Sequence, residues 1–213
     1  MLLRVLALAL AATLTACGGG GISAAASDLP LVQKAADTAV ASGLAGIALV
    51  HLTAKDTTQA LAGRRDVGAT TTIHPGDAFL IGSTTKAMTS ALAGRLVEQG
   101  RIAWTTLAEA LPDLAAGMQA AYRVITLEQL LSHRSGLQAG DYALGWMAGN
   151  IDGRPVRFHD GEVNGFSSLL VVDAQGRSAS FGFTNTQADD GAWTIGLLNQ
   201  ALLDIERALP PTK

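Results

Sequence analysis

Phe79-Leu80-Ile81-Gly82-Ser83-Thr84-Thr85-Lys86 is the stretch on which the reading of this chain turns. An apolar run and a glycine deliver Ser83 to a segment with helical periodicity. Met88, Leu92 and Leu96 recur at four-residue spacing, Ala87 and Ala91 lie beside them and Gly100 closes it, so a helix is predicted over 79–99. Lys86 follows Ser83 by three residues, which on a helix brings both side chains to one face within about a turn. A serine hydroxyl is a weak nucleophile unless a base takes its proton, and an amine can do so only while neutral. Burial and the positive end of a helix dipole both favour the neutral amine. The same helix start can offer the Ser83 N–H to an oxyanion. Ser-x-x-Lys also occurs as a serine cap followed by a surface lysine, so context has to decide.

Outward from that stretch, Leu31–Ser42 has apolar residues at helical spacing and stops at Gly43. Ile47–Val50 suits a buried strand, with Thr57–Asp66 as its antiparallel partner, and His74-Pro75-Gly76-Asp77 marks a turn. A second helix is predicted over Thr126–Ser132, capped by Thr126. After Gly140 the texture changes. Strands are predicted at 142–148, 156–159, 167–173 and 178–185, separated by Asp152-Gly153, Gly161–Gly165 and Ala174-Gln175-Gly176. Gly191–Leu209 returns to helical spacing through Trp193, Leu197, Ala201 and Ile205. This order predicts an α/β (α+β) fold, an antiparallel sheet flanked by helices.

The blocks GDAFLIGSTTKAMTSALAGRLVEQGRIAW (76–104), ITLEQLLSHRSGL (125–137), YALGW (142–146) and FHDGEVNGFSSLLVVDAQGRSASFGFTN (158–185) resemble, in that order, the serine β-lactamase-like superfamily. The branch they resemble is the class C β-lactamase, D-alanyl-D-alanine carboxypeptidase and esterase group. The resemblance implies a β-lactamase/transpeptidase-like fold and acyl-enzyme chemistry on amide or ester bonds: β-lactams, D-Ala-D-Ala peptides or small esters. It casts Ser83 as nucleophile and Lys86 as its proton-transfer partner. His159-Asp160-Gly161 matches the family's His-x-Gly motif on the sheet. The resemblance implies that His159 faces the substrate and that a backbone N–H just after Gly161, that of Glu162, completes the oxyanion hole. Without that context His159 reads as a strand-end histidine partly in solvent. His133, in the HRSGL block, reads as a packed, hydrogen-bonded residue of a structural turn. Ser167-Ser168 reads as strand surface.

The family's second motif, Tyr-x-Asn or Tyr-x-Ser, has no counterpart. Both tyrosines sit in other contexts, Tyr122-Arg123-Val124 and Tyr142-Ala143-Leu144. Only Gln138–Asp141 separates Leu137 from Tyr142, where ordinary members carry roughly a hundred residues more. The helical subdomain is therefore expected to be reduced, with an internal deletion near 138–141. A rival reading follows: a catalytically impaired or inactive envelope lipoprotein that binds peptidoglycan-like ligands or a partner.

The N-terminus carries Arg4, an apolar stretch from Val5 to Leu14, then Leu14-Thr15-Ala16-Cys17 and four glycines. This resembles a bacterial lipobox. Residues 1–16 are expected to be a lipoprotein signal peptide, Cys17 the lipidated residue, 17–29 a flexible tether and 30–213 the serine hydrolase domain. Two acyl chains would anchor the protein stably. Gly18 after the cysteine carries no acidic retention signal, so the expected place is the bacterial cell envelope, on the periplasmic face of the outer membrane.

The balance of the chain narrows the classes further. Its 213 residues carry 15 Lys+Arg against 18 Asp+Glu and a net charge of -3. That leaves no basic patch to neutralise phosphates, so no nucleic-acid partner is expected. The single Cys cannot close an internal disulfide, and His51 and His74 have no ligand-spaced partner. No metal or cofactor is expected, and the expected partner is a small-molecule or peptide substrate. There is no G-x-S-x-G elbow, H-E-x-x-H or G-x-G-x-x-G. The Gly82–Lys86 run lacks the glycine before and the hydroxyl residue after the lysine that a phosphate loop needs.

Overall fold

Six strands and the helices around them are defined by a computed structural model that describes residues 28–135, 144–186 and 191–211. In chain order they are α1 (Leu29–Ala41), β1 (Gly46–Thr53), β2 (Thr57–Gly63), α2 (Thr84–Glu98), α3 (Leu107–Ala110), α4 (Pro112–Ala115), α5 (Ala120–Arg123), α6 (Leu127–Leu131), β3 (Met147–Ile151), β4 (Arg154–Val163), β5 (Phe166–Asp173), β6 (Ser178–Thr184) and α7 (Gly191–Ala208). The chain divides into two units, Met1–Thr85 with Ala148–Lys213, and Lys86–Met147. The fold is α+β, as the sequence pattern indicated.

In the first unit the strands form one sheet in the order β2-β1-β6-β5-β4-β3. β1 pairs antiparallel with β2 and β6, and β5 pairs antiparallel with β4 and β6. Side chains alternate across a strand, and one face of this sheet packs against α1 and α7. Val32, Ala36, Ile47, Leu49, Leu169, Val171, Leu198, Leu202 and Ile205 make that core. Gly182 of β6 leaves the room that Leu198, Leu49 and Leu202 fill; a methyl there would lie 3.2–3.5 Å from their ends. Truncating a leucine in such a packed core costs about 2–5 kcal/mol. The same face holds a polar cluster. Ser180 Oγ donates to Glu206 of α7 and lies 2.9 Å from His51 Nδ1, while Arg154 reaches the other Glu206 oxygen at 2.7 Å.

Two tight turns set the register of β3, β4 and β5. Asp152 and Gly153 both have positive φ (50° and 87°), as do Asn164 and Gly165 (41° and 86°). Two successive residues in that region make the turn whose twist matches paired strands. β4 thus runs on to Val163, a correction to the strand predicted over 156–159. Gly161 and Glu162 pair with Ser168 and Ser167 inside the ladder, and the turn is Asn164-Gly165. With only five residues, β3 leaves the second half of β4 running past its hairpin partner.

The helix predicted from Phe79 begins at Thr84 instead, because Gly82 has φ +50° and breaks the helical path. Its buried residues are Thr84, Ala87, Ser90 and Ala93, while Leu92 is exposed. The small side chains, not the Met88–Leu92–Leu96 row, are therefore turned inward. In α7 the buried row is Thr194, Leu198, Ala201, Leu202 and Ile205, and Trp193 is exposed with its ring against Gly43.

The second unit contains α2 from Lys86 onward and four helices of four or five residues. Thr126 caps α6 as predicted, accepting from Gln129 N while the Gln129 side chain accepts from Thr126 N, both at 3.0 Å. Backbone bonds from Leu107 N to Ile125 O and from Leu127 N to Thr105 O tie α3 to α6. The proposed deletion point, 138–141, lies outside the described residues, as do Cys17 and everything before residue 28.

Candidate active site

The segment before Ser83 is pinned to the sheet. Phe79 packs edge-on against Phe166 of β5 and also contacts Phe183 of β6, each with ring centroids 6.1 Å apart. Two residues on, the Ile81 carbonyl accepts from the Thr84 hydroxyl at 2.6 Å, the Ser168 hydroxyl at 2.8 Å and Thr84 N at 3.2 Å. The chain then turns through Gly82, and Thr85 N bonds back to Gly82 O at 3.2 Å as the helix begins. Ser83 is half-buried at this junction.

The turn lies directly against β4. A methyl group on Gly82 would stand 3.0–3.2 Å from N, O and C of Glu162. One on Gly161 would stand 2.4 Å from Ile81 O, 2.7 Å from Ser83 N and 2.9 Å from Ser168 Oγ. Real side chains do not enter the gap at Gly161, which is dictated by backbone meeting backbone, while Gly82 combines a tight approach with a φ of +50° that favours glycine. The Ser83 block and the His-Asp-Gly block, far apart in the chain, are thereby brought together. What meets is the backbone of Gly82–Ser83 and of Gly161–Glu162, a place where amide groups converge.

The side chains are disposed less simply. Lys86 lies in the first turn of α2 and is exposed, so the burial expected for it is not found. His159 is buried at 2 % exposure, and its Nδ1–H donates to the Asp160 carbonyl. That bond holds the ring to its own strand, and its burial departs from the reading of a strand-end histidine partly in solvent. Glu162 projects to the opposite face from Gly161, and its carboxylate reaches the start of α7; a methyl on Gly191 would lie 2.1–2.6 Å from it. Glu162 thus places a carboxylate near the N-terminus of α7, where a helix favours negative charge. His133 is half-buried with φ +55°, just after α6, in keeping with a structural turn.

Ser167 and Ser168 are fully buried, not strand surface. The apolar run that follows them, Leu169–Val172, is buried on both faces, and this lack of alternation was the available sign that β5 is an interior strand. Among the described residues, no three His, Cys, Asp or Glu side chains are grouped to hold a metal ion. Among the same residues, no helix is long and apolar enough to cross a membrane.

Comparison with known proteins gives the chain a family. The beta-lactamase family model matches residues 32–142, more than half of the chain. The chain belongs to the beta-lactamase family. The match includes Ser83 and Lys86 and ends before His159-Asp160-Gly161. An unguisins hydrolase of Aspergillus campestris is 33% identical over 96 residues, 42% of this chain and 17% of that protein. The chain thus spans less than a fifth of the length of the curated relatives it matches. Solved structures of the fold include the D-amino acid amidase of Ochrobactrum anthropi SV3 complexed with D-phenylalanine, at TM-score 0.58 and 12% identity, covering 86% of this chain and 99% of that one. A beta-lactamase from Sulfitobacter sp. EE-36 aligns at TM-score 0.62 and 9% identity over 90% of this chain and 100% of its own.

Proposed function

We propose that this chain is a serine hydrolase that cleaves amide or ester bonds through an acyl-enzyme on Ser83. The observation that carries the reading is the junction of the Gly82–Ser83 turn with the Gly161–Glu162 backbone, in a family whose relatives include proteins named hydrolase and amidase. Ser83 Oγ attacks the substrate carbonyl carbon and loses its proton to Lys86. The carbonyl oxygen becomes an oxyanion, held by the N–H groups of Ser83 and Glu162. Collapse of that intermediate breaks the bond to the leaving amine or alcohol, which takes up the proton. Water then attacks the Ser83 ester, releasing the acid and restoring the hydroxyl. His159 supports the β4 wall from within. The substrate class is a β-lactam, a D-Ala-D-Ala peptide or a small ester.

The proposal extends to the whole chain: signal peptide 1–16, lipid attachment at Cys17, a tether that ends where α1 begins at Leu29 rather than after it, and the hydrolase domain from there onward, on the periplasmic face of the outer membrane. Intact-mass analysis of protein isolated from membranes tests both parts. With a fluorophosphonate, one adduct is expected, absent in Ser83→Ala and slowed in Lys86→Ala, together with the mass of acyl chains on Cys17. An adduct that survives Ser83→Ala places the nucleophile elsewhere. No adduct at all turns the reading to a non-catalytic lipoprotein that binds peptidoglycan-like ligands.

A further inference from the structure

We propose that Ser168 is a positioning residue for Ser83, acting through the Ile81 carbonyl; this rests on the acyl-enzyme reading above. Ser168 sits on β5 directly opposite Gly161 and is 0 % exposed. Its hydroxyl donates to Ile81 O at 2.8 Å, and the Thr84 hydroxyl, itself 1 % exposed, donates to the same oxygen at 2.6 Å. The two hydroxyl oxygens are 3.2 Å apart, and Ser168 Oγ is also 3.4 Å from Gly161 O. Each hydroxyl has one proton, and the shortest contact of each runs to that one carbonyl. Ser168 is therefore bound into the frame and unsuited to be a nucleophile.

The carbonyl so held belongs to the peptide unit just before Gly82. Gly82 has φ +50° and no side chain to restrain it. The next peptide unit carries the Ser83 N–H. A glycine tolerates more than one backbone conformation in this region, and the turn's bonds to Thr84 and Thr85 run within the turn itself. The Ser168 bond reaches the sheet. It crosses from β5 to the turn and fixes the Ile81–Gly82 peptide plane relative to the strand that brings Gly161 and Glu162. The orientation of Ser83 N–H and Oγ toward β4 follows from that plane. Misplacement of a reacting group by about 1 Å can cost ~10²-fold in rate, so a single buried hydroxyl at this point governs rate far more than affinity.

The test is the kinetics of fluorophosphonate labelling at Ser83, followed by intact mass over a range of probe concentrations. Rates are taken per folded molecule, with folding read from near-UV circular dichroism and the urea midpoint. In Ser168→Ala the maximal labelling rate is expected to fall ~10- to 100-fold with the half-saturating concentration nearly unchanged. Thr84→Val, close to threonine in shape, approaches the same carbonyl from the helix side and should lower the rate in the same way. Thr84→Ser, which keeps the hydroxyl, should restore it. Because both hydroxyls hold one oxygen, the double variant should lose less than the product of the two single losses. Should Ser168→Ala not fold, Ser168→Cys, which keeps the volume and weakens the donor, is read in its place, with the same loss expected and a wild-type rate overturning the role. Wild-type labelling rates per folded molecule in Ser168→Ala and Thr84→Val overturn the positioning role and leave the hydrolase reading intact. A loss seen only as a raised half-saturating concentration also overturns it. A wild-type protein that takes no label at Ser83 overturns the hydrolase reading, and the positioning role with it.

Discussion

His51 lies at 2 % exposure beside Ser180 and 3.8 Å from Glu206 Oε1, in a setting that decides its charge. Burial pushes its pKa below the usual 6.5, outweighing the upward pull of the Glu206 and Asp28 carboxylates; Arg154 pushes down as well. The ring is therefore neutral in the folded protein at pH 7, while the unfolded chain takes up a proton below about pH 6.5. Where the unfolded state binds more protons, stability rises with pH. The contribution is thus complete above 6.5 and is lost as pH falls from there toward the folded value. Urea midpoints should decline between about pH 7 and 5 more steeply in wild type than in His51→Gln; parallel declines would sink the idea. At this same scale the sequence singled out Ser83, Lys86 and the His-Asp-Gly block as candidates, because those residue types suggest chemistry by their identity. It did not show that Lys86 is exposed, His159 buried or Ser168 a donor to Ile81, because those depend on which strand lies against which turn. No local pattern states that.

The β4–β5 hairpin depends on Asn164, a non-glycine residue at φ +41°. Asparagine tolerates that region through local hydrogen bonding of its short side chain, whereas a Cβ without that compensation costs about 1–2 kcal/mol. Asn164→Ala should therefore lower stability by about 1 kcal/mol and Asn164→Gly by much less, measured as urea midpoints at constant m. Equal losses in the two would mean that the side chain, not the backbone angle, is what matters. This turn was misplaced in the sequence reading because Gly161 looked like punctuation. Its glycine instead serves the close approach of Ile81 and Ser83, and the true signal was the Asn-Gly pair three residues on. The start of α2 was misread for a related reason. The apolar residues 79–81 continued the apparent helical pattern backward, yet Phe79 packs on β5 and β6 and Gly82 breaks the path. Where the cap lay in the sequence itself, at Thr126 and Gln129, the helix start was legible.

At the scale of the whole chain, the helices between α2 and β3 are short: among the described residues they are four, of four or five residues each. Neither of its two tyrosines stands in a Tyr-x-Asn or Tyr-x-Ser setting, so under the acyl-enzyme proposal proton transfer would fall to Lys86 and water. A positioned acid–base group contributes ~10²–10⁴ in rate, and its loss does not weigh equally on all substrates. Attack by Ser83 requires removal of one proton in every case, which Lys86 can serve. Expulsion of an amine requires that a proton be delivered to nitrogen before the bond breaks, whereas p-nitrophenolate leaves as the anion. The deficit should therefore concentrate in amides and β-lactams. Purified protein is expected to hydrolyse p-nitrophenyl acetate measurably, with the activity gone in Ser83→Ala, while turnover of a chromogenic cephalosporin and of a D-Ala-D-Ala peptide stays near background. Acylation should limit the amide reactions, so no burst of product should precede their slow turnover. Efficient cephalosporin hydrolysis that disappears in Ser83→Ala would show that another group delivers the proton. Ester turnover unchanged in Ser83→Ala would remove the acyl-enzyme altogether.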